Sequence, residues 1–280
     1  MSISDLNQAV AAVTGAGSGI GRALAVALAK RNTHLALADI DGDRLEETAG
    51  AVPSGVRVST HIVDVADRGA VAAFADQVIE EHGQVNLVFN NAGVTVADST
   101  EDILFEDFEW LMGINFWGVV NGCKAFLPYL QQVEEAAIVN TSSIFGTISV
   151  PMQSAYNASK FAVRGFTYSL RQELMDTHIS VSCVQPGGVK TNIARDSRSL
   201  MMSNDKEAHA NLAAEFDRIA RLQPDQAAEQ IIRGVLAGKP QILVGRDAKA
   251  LALLERLMPT GYHRLLARIR RRFEPEEQIT

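Results

Sequence analysis

The amino-acid sequence predicts an α/β protein built on a doubly wound parallel sheet of about seven strands flanked by helices. Short apolar runs alternate with longer amphipathic segments over residues 1–245, and polar or glycine-rich turns follow most of these runs. This alternation gives parallel strands, and such sheets bind ligands beyond the carboxyl ends of their strands. We expect one domain over residues 1–245 and a C-terminal amphipathic helical extension over residues 246–280, which belongs to that domain or packs on it.

Composition and charge exclude several classes of protein. The chain has 280 residues, 47% hydrophobic and 21% charged, and can bury a substantial core. Its formal net charge of -7 argues against nucleic acid as a partner. Cys123 and Cys183 lie far apart in apolar surroundings, which predicts buried reduced thiols and no metal site. The N-terminus lacks a signal-peptide pattern and no apolar run is long enough to span a membrane, so we expect a cytoplasmic protein.

A glycine-rich turn, TGAGSGIG, occupies residues 14–21 between a short apolar run and an amphipathic helix. Its glycines permit a tight turn and a close approach of the backbone to a pyrophosphate, whose charge suits the free amides at the start of the helix. The spacing is G-x-x-x-G-x-G, since Ile20 occupies the last glycine position of G-x-G-x-x-G. The candidate cofactor-binding residues in this turn are Gly15, Ser18, Gly19, Ile20 and Gly21.

The second apolar run, residues 34–38, ends at Asp39. A carboxylate at this position suits hydrogen bonds to both hydroxyls of an adenosine ribose. It would repel a 2′-phosphate by several kcal/mol even at a dielectric of about 20. Neither the turn before Arg22 nor Ile40 offers a cation for that phosphate, so we expect NAD rather than NADP. The alternative is that Asp39 only caps a helix beginning near Gly42.

Two further strands are predicted at residues 56–63 and 85–89, with a helix from about residue 67 to 82 between them. The first leads into Asp64 and Val65, and the second into the sequence NNAG at residues 90–93. The carboxamides of this sequence could brace the glycine turn and line a cofactor cleft. A simple loop cap would also use Asn and Gly.

Residues 101–130 predict one long helix that buries Asn115 within an apolar stretch. A buried carboxamide needs hydrogen-bond partners. It could bind a neighbouring backbone segment, or it could hold a water in a path that carries protons to solvent. A local distortion of the helix at Asn115 would favour the second interpretation.

A fifth strand, residues 137–141, ends at Ser142 and Ser143, where a hydroxyl could donate to a developing alkoxide. The next helix, from about residue 154 to 176, carries Tyr156 and Lys160 four residues apart, and therefore on one face. For Tyr156 to act as a base near neutrality, its pKa must fall by roughly three units, about 4 kcal/mol. A lysine about 4 Å away could supply most of that. The alternative is a pair of surface residues on an amphipathic helix.

The remaining pattern contains a sixth strand at residues 180–185, the turn PGGVKT at 186–191, a helix at 224–238 and a seventh strand at 241–244. The turn could close over a nicotinamide, with Thr191 reaching its carboxamide or the phosphates. The methionines within residues 194–214 suit an adaptable apolar pocket. The expected pocket residues are Leu200, Met201 and Met202, with Phe145, Ile148, Val150 and Met152 from the segment before Tyr156, and all of these could equally be ordinary core.

Taken together, TGAGSGIG, NNAG, Asn115, Ser143, Tyr156-x-x-x-Lys160 and PGGVKT resemble the short-chain dehydrogenase/reductase family over roughly residues 10–245. The resemblance implies a Rossmann-like fold and an NAD(P)-dependent oxidoreductase. It implies that Tyr156 is the general acid/base and that Lys160 lowers its pKa and binds the nicotinamide ribose. It also implies that Ser143, rather than Ser142, orients the substrate oxygen and that Asn115 completes a proton relay.

The same resemblance implies a mobile lid at residues 194–214 in the substrate-binding region, and further contacts to the cofactor. Asp64 and Val65 would lie at the adenine, Asn91 and Gly93 along the dinucleotide, and Thr191 near the nicotinamide. The expected cofactor-binding residues outside the glycine turn are Asp39, Asp64, Val65, Asn91, Ala92, Gly93, Tyr156, Lys160, Pro186, Gly187, Val189 and Thr191.

The function we expect is hydride transfer between NAD and a secondary alcohol or ketone, and the apolar residues around the tyrosine favour a hydrophobic substrate. One alternative is an NADP-dependent ketone reductase. Another is a lyase or epimerase of the same superfamily, although those relatives resemble G-x-x-G-x-x-G at the first turn. A third is a catalytically silent, cofactor-bound scaffold, which gives no reason to retain the serine, tyrosine and lysine at these intervals.

The C-terminal extension predicts amphipathic helices with an apolar stripe opposite several arginines. Such a surface could lie on an anionic membrane, or it could pack on its own domain or on a partner subunit. The helices around Asn115 and after Tyr156 are apolar on more than one face, which favours coverage by a second copy. We therefore expect a homodimer or a homotetramer.

Overall fold

The computed structural model describes residues 3–198 and 220–273 and contains a seven-stranded parallel sheet. The strand order is β3-β2-β1-β4-β5-β6-β7, so the chain winds outward in both directions from β1 and β4. This is the predicted Rossmann-like doubly wound sheet. The strands are β1 Val10–Thr14, β2 His34–Asp39, β3 Val58–Ile62, β4 Leu87–Asn90, β5 Ala136–Thr141, β6 Ile179–Pro186 and β7 Gln241–Val244.

Helices cover both faces of the sheet because successive strand residues point to opposite sides. In β1, Ala11 and Val13 pack on one side and Val10 and Ala12 on the other. Helices α1, α2 and α7 cover the first side, and α3, α5 and α6 cover the second. The helices are α1 Gly19–Ala29, α2 Gly42–Gly50, α3 Arg68–His82, α4 Phe105–Met112, α5 Gly118–Leu130, α6 Ser154–Glu173, α7 Pro224–Leu236, α8 Arg246–Leu257 and α9 Tyr262–Phe273.

The long helix predicted for residues 101–130 differs from the structure in two respects. It begins at Phe105, and a π-helical segment, Gly113–Trp117, separates α4 from α5. Such a segment admits an extra residue into the helix and is frequent at functional sites. The predicted distortion at Asn115 is therefore present, and the prediction of one continuous α-helix is wrong.

The C-terminal extension packs against the segment that follows Ser143. Ala248 of α8 and Tyr262 at the start of α9 form a small apolar cluster with Ile144 and Ile148. The phenol of Tyr262 also accepts a hydrogen bond of 2.9 Å from the backbone N–H of Ser149. Among the described residues, no helix has both the length and the apolar character needed to cross a bilayer.

The structure confirms the prediction for the two cysteines, but it describes little of the predicted lid. Cys123 and Cys183 are buried free thiols, as expected. Most of the predicted lid, including Leu200, Met201 and Met202, lies outside the described residues.

Candidate active site at the carboxyl edge of the sheet

The glycine turn adopts a conformation that requires glycine at two positions. Gly15 and Gly19 have φ angles of 65° and 52°, in the left-handed region. A β-carbon at Gly15 would also lie 2.8 Å from Cα of Ala92, so the turn packs directly against the NNAG segment. In the described structure, the first turn of α1 contains no acidic side chain, and Ser18 makes no side-chain capping bond. The helix start is therefore suited to bind a pyrophosphate.

Asn91 braces the glycine turn, as its sequence position suggested. Its side-chain amide donates to the carbonyl of Thr14 at 3.0 Å. The Thr14 hydroxyl in turn accepts hydrogen bonds from the backbone N–H groups of Asn91 and Ala92, at 3.0 and 3.1 Å. Thr14 was not among the predicted site residues, although a hydroxyl at the end of a buried strand is a usable sequence signal.

Asp39 is directed toward the glycine turn. Its carboxylate accepts a hydrogen bond of 2.8 Å from the backbone N–H of Gly17. The capping alternative is wrong, because Asp41 occupies the N-cap of α2 and accepts from the N–H of Arg44. The expectation considered only the turn before Arg22 and Ile40 as sources of a cation. The structure adds Arg44, whose guanidinium interacts mainly with Asp196 and Asp41 and more weakly with Asp39.

Asp64 and Val65 follow β3 at the same edge of the sheet. Asp64 is exposed and accepts a hydrogen bond of 2.9 Å from the N–H of Ala66. Val65 is buried against Gly118 of α5, and its carbonyl accepts from the side chain of Asn121 at 3.0 Å. These bonds fix the loop between β3 and α3.

Helix α6 places Tyr156 and Lys160 beside the end of β5. The Lys160 side chain is buried, and its Nζ donates to the carbonyl of Thr141 at 3.1 Å. The same nitrogen lies 5.6 Å from the centre of the Tyr156 ring. These two residues are therefore not ordinary surface residues of an amphipathic helix.

The two serines after β5 have different environments. Ser142 donates its hydroxyl hydrogen to the carbonyl of Lys160 at 2.7 Å, so its hydroxyl supports α6. The Ser143 hydroxyl accepts a hydrogen bond from the N–H of Phe145 at 3.1 Å, and its interaction with the phenol of Tyr156 lowers the pKa of that phenol. The Phe145 ring meets the Tyr156 ring edge to face, with centroids 6.3 Å apart. Ser143 is thus the serine that shares a site with the tyrosine.

Burial dominates the electrostatics of Tyr156 and Lys160. Desolvation raises the pKa of Tyr156, and the interaction with Ser143 partly opposes that rise. Desolvation also lowers the pKa of Lys160 to about 8. Burial therefore disfavours the charged form of both groups, although Lys160, with a pKa of about 8, is still mostly an ammonium at pH 7. The lowering of the tyrosine pKa by Lys160 stays a prediction, because burial raises that pKa and the group that opposes the rise in the cofactor-free chain is Ser143.

Asn115 lies in the π-helical segment and is fully buried. Its side chain bonds both the N–H and the carbonyl of Val94, at 2.8 and 2.9 Å, and donates to the Ser159 hydroxyl at 3.1 Å. A β-carbon at Gly93 would lie 3.2 Å from Asn115 Oδ1 and 3.3 Å from Lys160 Nζ. The structural interpretation of Asn115 is therefore correct, and the helix distortion expected of a functional role is also present.

The turn after β6 returns to the glycine turn. The methyl group of Thr191 lies 3.1 Å from the position of a β-carbon on Gly19. Val189 is buried, and Pro186 ends β6. Asp247 of α8 was not predicted to contribute here, yet its carboxylate closely contacts Gly187 and accepts from the N–H of Gly188 at 2.6 Å. No local sequence signal indicates a contact across 59 residues.

The structure thus brings the predicted residues to one edge of the sheet. The surface formed by the glycine turn and the start of α1 fits a dinucleotide, because the small residues of the turn leave room for it and the helix start can bind an anion. Residues that could hold the adenosine half are Asp39, Asp64 and Val65, and those that could hold the nicotinamide half are Gly93, Tyr156, Lys160, Pro186, Gly187, Val189 and Thr191.

Comparison with known proteins gives relatives over nearly the whole chain. The family profile described as short chain dehydrogenase matches residues 9–201. SadH of Mycobacterium tuberculosis is 45% identical over 269 residues, which cover 95% of this chain and 96% of that protein. Estradiol 17-beta-dehydrogenase 11 of Mus musculus is 34% identical over 262 residues, covering 91% of this chain and 81% of the relative.

Solved structures give the same result. A short chain dehydrogenase/reductase from Burkholderia phymatum in complex with NAD has a TM-score of 0.82 and 30% identity, and the match covers 99% of both chains. An alcohol dehydrogenase from the archaeon Thermococcus sibiricus, complexed with 5-hydroxy-NADP, has a TM-score of 0.71 and 29% identity over 84% of this chain and 95% of that one. The chain belongs to the short-chain dehydrogenase/reductase family and is an NAD(P)-dependent oxidoreductase.

Proposed function

We propose that this oxidoreductase transfers hydride between NAD and a hydrophobic secondary alcohol or ketone, with Tyr156 as the general acid/base. The observation that carries the proposal is the position of Tyr156: the Nζ of the buried Lys160 lies 5.6 Å from its ring centre, and Ser143 interacts with its phenol. Two hydroxyl groups that meet at the ligand-binding edge of a parallel sheet can both contact one carbinol oxygen. Ser143 orients that oxygen, and Tyr156 exchanges a proton with it.

The acid–base role requires a positive charge near the phenol. Since burial raises the pKa of Tyr156, the phenolate form must be stabilised by a cation at the site. The ammonium of Lys160 is the nearby candidate, and it also lies where it can bind the nicotinamide ribose. When bound, the nicotinamide ring supplies the hydride acceptor or donor of the reaction. Tyr156 holds or releases the proton at its phenolic oxygen.

Asn115 is the proposed last member of a proton relay. Its carboxamide oxygen and Lys160 Nζ both lie beside Gly93, where an added β-carbon would be 3.2 and 3.3 Å from them. The π-helical segment Gly113–Trp117 supports this role, because such segments inside α-helices are frequent at functional sites.

NAD is the proposed cofactor, and NADP is the alternative. The Asp39 carboxylate is 2.8 Å from the N–H of Gly17, beside the turn that would hold the dinucleotide. A carboxylate there favours a ribose 2′-hydroxyl over a 2′-phosphate. The Burkholderia phymatum structure contains NAD, which supports the same choice.

A hydrophobic substrate is supported by the side chains around the tyrosine. Tyr156 packs with Val96, Leu111 and Ala155, and the Phe145 ring lies against it. The printed name of the mouse relative refers to estradiol, an apolar secondary alcohol. Both observations favour an apolar carbinol over a charged one.

The test is turnover of NAD with a series of secondary alcohols of increasing apolar size, followed by the absorbance of reduced nicotinamide. We expect Tyr156→Phe to lower turnover by roughly 10²–10⁴-fold, the usual contribution of a positioned acid or base, while NADH still binds. Tyr168→Phe is the matched control, since Tyr168 lies on the same helix and stacks with Arg164. Undiminished turnover by Tyr156→Phe would exclude the proposal.

We also propose that the chain forms a homodimer or homotetramer through helices α4 to α6. Phe105, Trp117 and Phe161 are 84%, 45% and 40% exposed along these helices, which is unusual for large apolar side chains. Sedimentation velocity tests the assembly, and a Phe161→Glu variant should shift it toward the monomer. A concentration-independent monomer for the unchanged chain would contradict it.

Residues 246–280 are proposed to belong to the same domain as residues 1–245, because α8 and Tyr262 complete an apolar cluster with Ile144 and Ile148. The alternative role is weak contact with an anionic membrane, which the exposed side chains of Leu253 and Leu257 on α8 would support. Salt-sensitive binding to anionic vesicles that is lost on removing the residues after Pro259 would favour that alternative.

A cytoplasmic location is also proposed, because Cys123 and Cys183 are free thiols and thiols stay reduced in the cytoplasm.

A further inference from the structure

The loop of residues 144–153 connects the serine and the tyrosine of the proposed active site. Ser143 immediately precedes the loop, and Tyr156 lies in the first turn of the helix that follows it. Phe145 contacts both residues, because its N–H donates to the Ser143 hydroxyl at 3.1 Å and its ring centre lies 6.3 Å from that of Tyr156. The conformation of this loop therefore determines how the two hydroxyl groups are placed relative to each other.

The backbone of the loop adopts an unfavourable conformation near its end. Met152 has a φ angle of 64°, in the left-handed region that residues other than glycine rarely occupy. Such a conformation persists where the surrounding contacts determine the backbone. The Met152 side chain is 41% exposed, so its own burial does not provide those contacts. They come from the elements that pack on the loop.

Two elements bind the loop through hydrogen bonds. On α6, the side chain of Asn157 donates to the carbonyls of Phe145 and Ile148, at 2.8 and 3.1 Å. On α9, the phenol of Tyr262 accepts a hydrogen bond of 2.9 Å from the N–H of Ser149, 113 residues away in sequence. The C-terminal extension therefore fixes a part of the loop that follows the contacts of Asn157.

The ring of Tyr262 connects this hydrogen bond to the packing around the active site. Tyr262 is 9% exposed and forms an apolar cluster with Ile144, Ile148 and Ala248, and Phe145 packs against the same cluster. The Phe145 ring in turn contacts the ring of Tyr156. Packed side chains thus extend from the C-terminal extension to the residue that we propose as the acid/base.

The extension contacts the cofactor side of the site through a different residue. Asp247 on α8 accepts a hydrogen bond of 2.6 Å from the N–H of Gly188, in the turn after β6. Tyr262 instead bonds Ser149, in the loop after β5. Since the two contacts lie on separate turns, substitution of Tyr262 can alter the loop after β5 without altering the acceptor for Gly188.

We propose that Tyr262 is a positioning residue for the reaction. By accepting the hydrogen bond from the N–H of Ser149, it holds the loop of residues 144–153 in the conformation that directs Ser143 and Tyr156 toward one carbinol oxygen. The inference rests on the proposed function, since it assumes that these two hydroxyl groups receive the substrate. It gives the C-terminal extension a role in turnover in addition to its packing on the domain.

The first measurement is hydrogen exchange of the full-length, cofactor-free chain, followed by mass spectrometry. Tyr262→Phe retains the ring and removes the acceptor oxygen. We expect the amides of residues 144–153 to exchange roughly fivefold faster in this variant, the usual net effect of losing one hydrogen bond. Tyr129→Phe is the matched control, because it also removes a hydrogen-bonded phenol, which on α5 donates to Asp76. It should leave exchange in the loop unchanged.

The second measurement is turnover of NAD with an apolar secondary alcohol, expressed as kcat per NADH-binding site. Tyr262→Phe should lower this kcat roughly tenfold, because misplaced reacting groups slow the chemical step. Its dissociation constant for NADH should change by less than about twofold, since the acceptor for Gly188 is retained. A residue needed only for folding would reduce the number of NADH-binding sites and leave kcat per site unchanged. Tyr129→Phe should change neither quantity.

Two results would overturn the inference alone. One is unchanged exchange of residues 144–153 in Tyr262→Phe, whatever the activity. The other is faster exchange with undiminished kcat per site, because the loop would then not position the reacting groups. Absence of turnover by the unchanged chain with every secondary alcohol would contradict the proposed function, and the inference would fail with it.

Discussion

The ammonium nitrogen of Lys160 lies 5.6 Å from the centre of the Tyr156 ring, and both side chains are in an environment that disfavours their charged forms. Lys160 is only 2% exposed, and its contact to the Thr141 carbonyl does not replace full hydration. Burying these two side chains therefore costs free energy of folding at the site where the chemistry is proposed. Strongly perturbed groups of this kind are frequent at active sites.

The first prediction concerns the cost of burying Lys160. Its pKa falls from 10.5 to about 8 on folding, so the unfolded chain binds the proton more tightly. The destabilisation is complete below pH 8 and disappears as the pH rises through 10.5. In the cofactor-free protein, Lys160→Met should raise the free energy of unfolding at pH 7 by about 1–3 kcal/mol, allowing for the lost hydrogen bond to Thr141.

Urea unfolding at pH 7 and pH 9.5 measures this effect, and the difference between variant and unchanged protein should shrink at the higher pH. Lys239→Met is the control, since Lys239 is exposed. A Lys160→Met protein that is less stable than the unchanged chain at pH 7 would contradict the prediction.

The second prediction separates the two serines after β5. Ser143→Ala should lower kcat by roughly 10²–10³-fold, as removal of a donor to a developing oxyanion does, and should cost about 1 kcal/mol of stability because the N–H of Phe145 loses its acceptor. Ser142→Ala should cost about 1 kcal/mol of stability, because the carbonyl of Lys160 loses its hydrogen bond. Steady-state kinetics and thermal unfolding distinguish the two effects. Equal losses of activity in both variants would show that the assignment to Ser143 is wrong.

The third prediction concerns Asp247 as a positioning residue for the turn after β6. Asp247→Ala removes the acceptor for the N–H of Gly188 and should weaken NADH binding by roughly tenfold. Asp247→Asn retains an acceptor oxygen and should recover most of that loss. Arg256→Gln, on the exposed side of the same helix, should leave the affinity unchanged. Fluorescence titration measures all three, and equal affinities for Asp247→Ala and the unchanged chain would refute the role.

The fourth prediction compares two glycines. Gly15→Ala should destabilise the protein by about 1–3 kcal/mol, because alanine disfavours the left-handed conformation. The added β-carbon would also lie 2.8 Å from Cα of Ala92. Gly50→Ala should be neutral or stabilising by up to about 1 kcal/mol, since Gly50 ends helix α2 and an added β-carbon there contacts nothing within 4 Å. Chemical unfolding measures both, and similar values for the two variants would be the contrary result.

Much of the fold could be predicted from the sequence because the alternation of apolar runs is a local property. Strand β7, for example, occupies Gln241–Val244, the residues that the pattern indicated. The division of the long helix could not be predicted in the same way. The π-helical segment coincides with hydrogen bonds from Asn115 to Val94 and Ser159, and these partners come from elsewhere in the chain.

The sequence by itself determined the order of the motifs, the acidic residue at the end of β2 and the spacing of Tyr156 and Lys160, since each depends on neighbouring residues. Only the tertiary structure decided that Asp196 pairs with Arg44 and that Asp247 supports the Gly188 turn. It also decided the direction in which burial shifts the pKa of Tyr156. The physical reason is that ion pairing and desolvation depend on which distant segments the packed sheet brings together, and no short stretch of sequence contains that information.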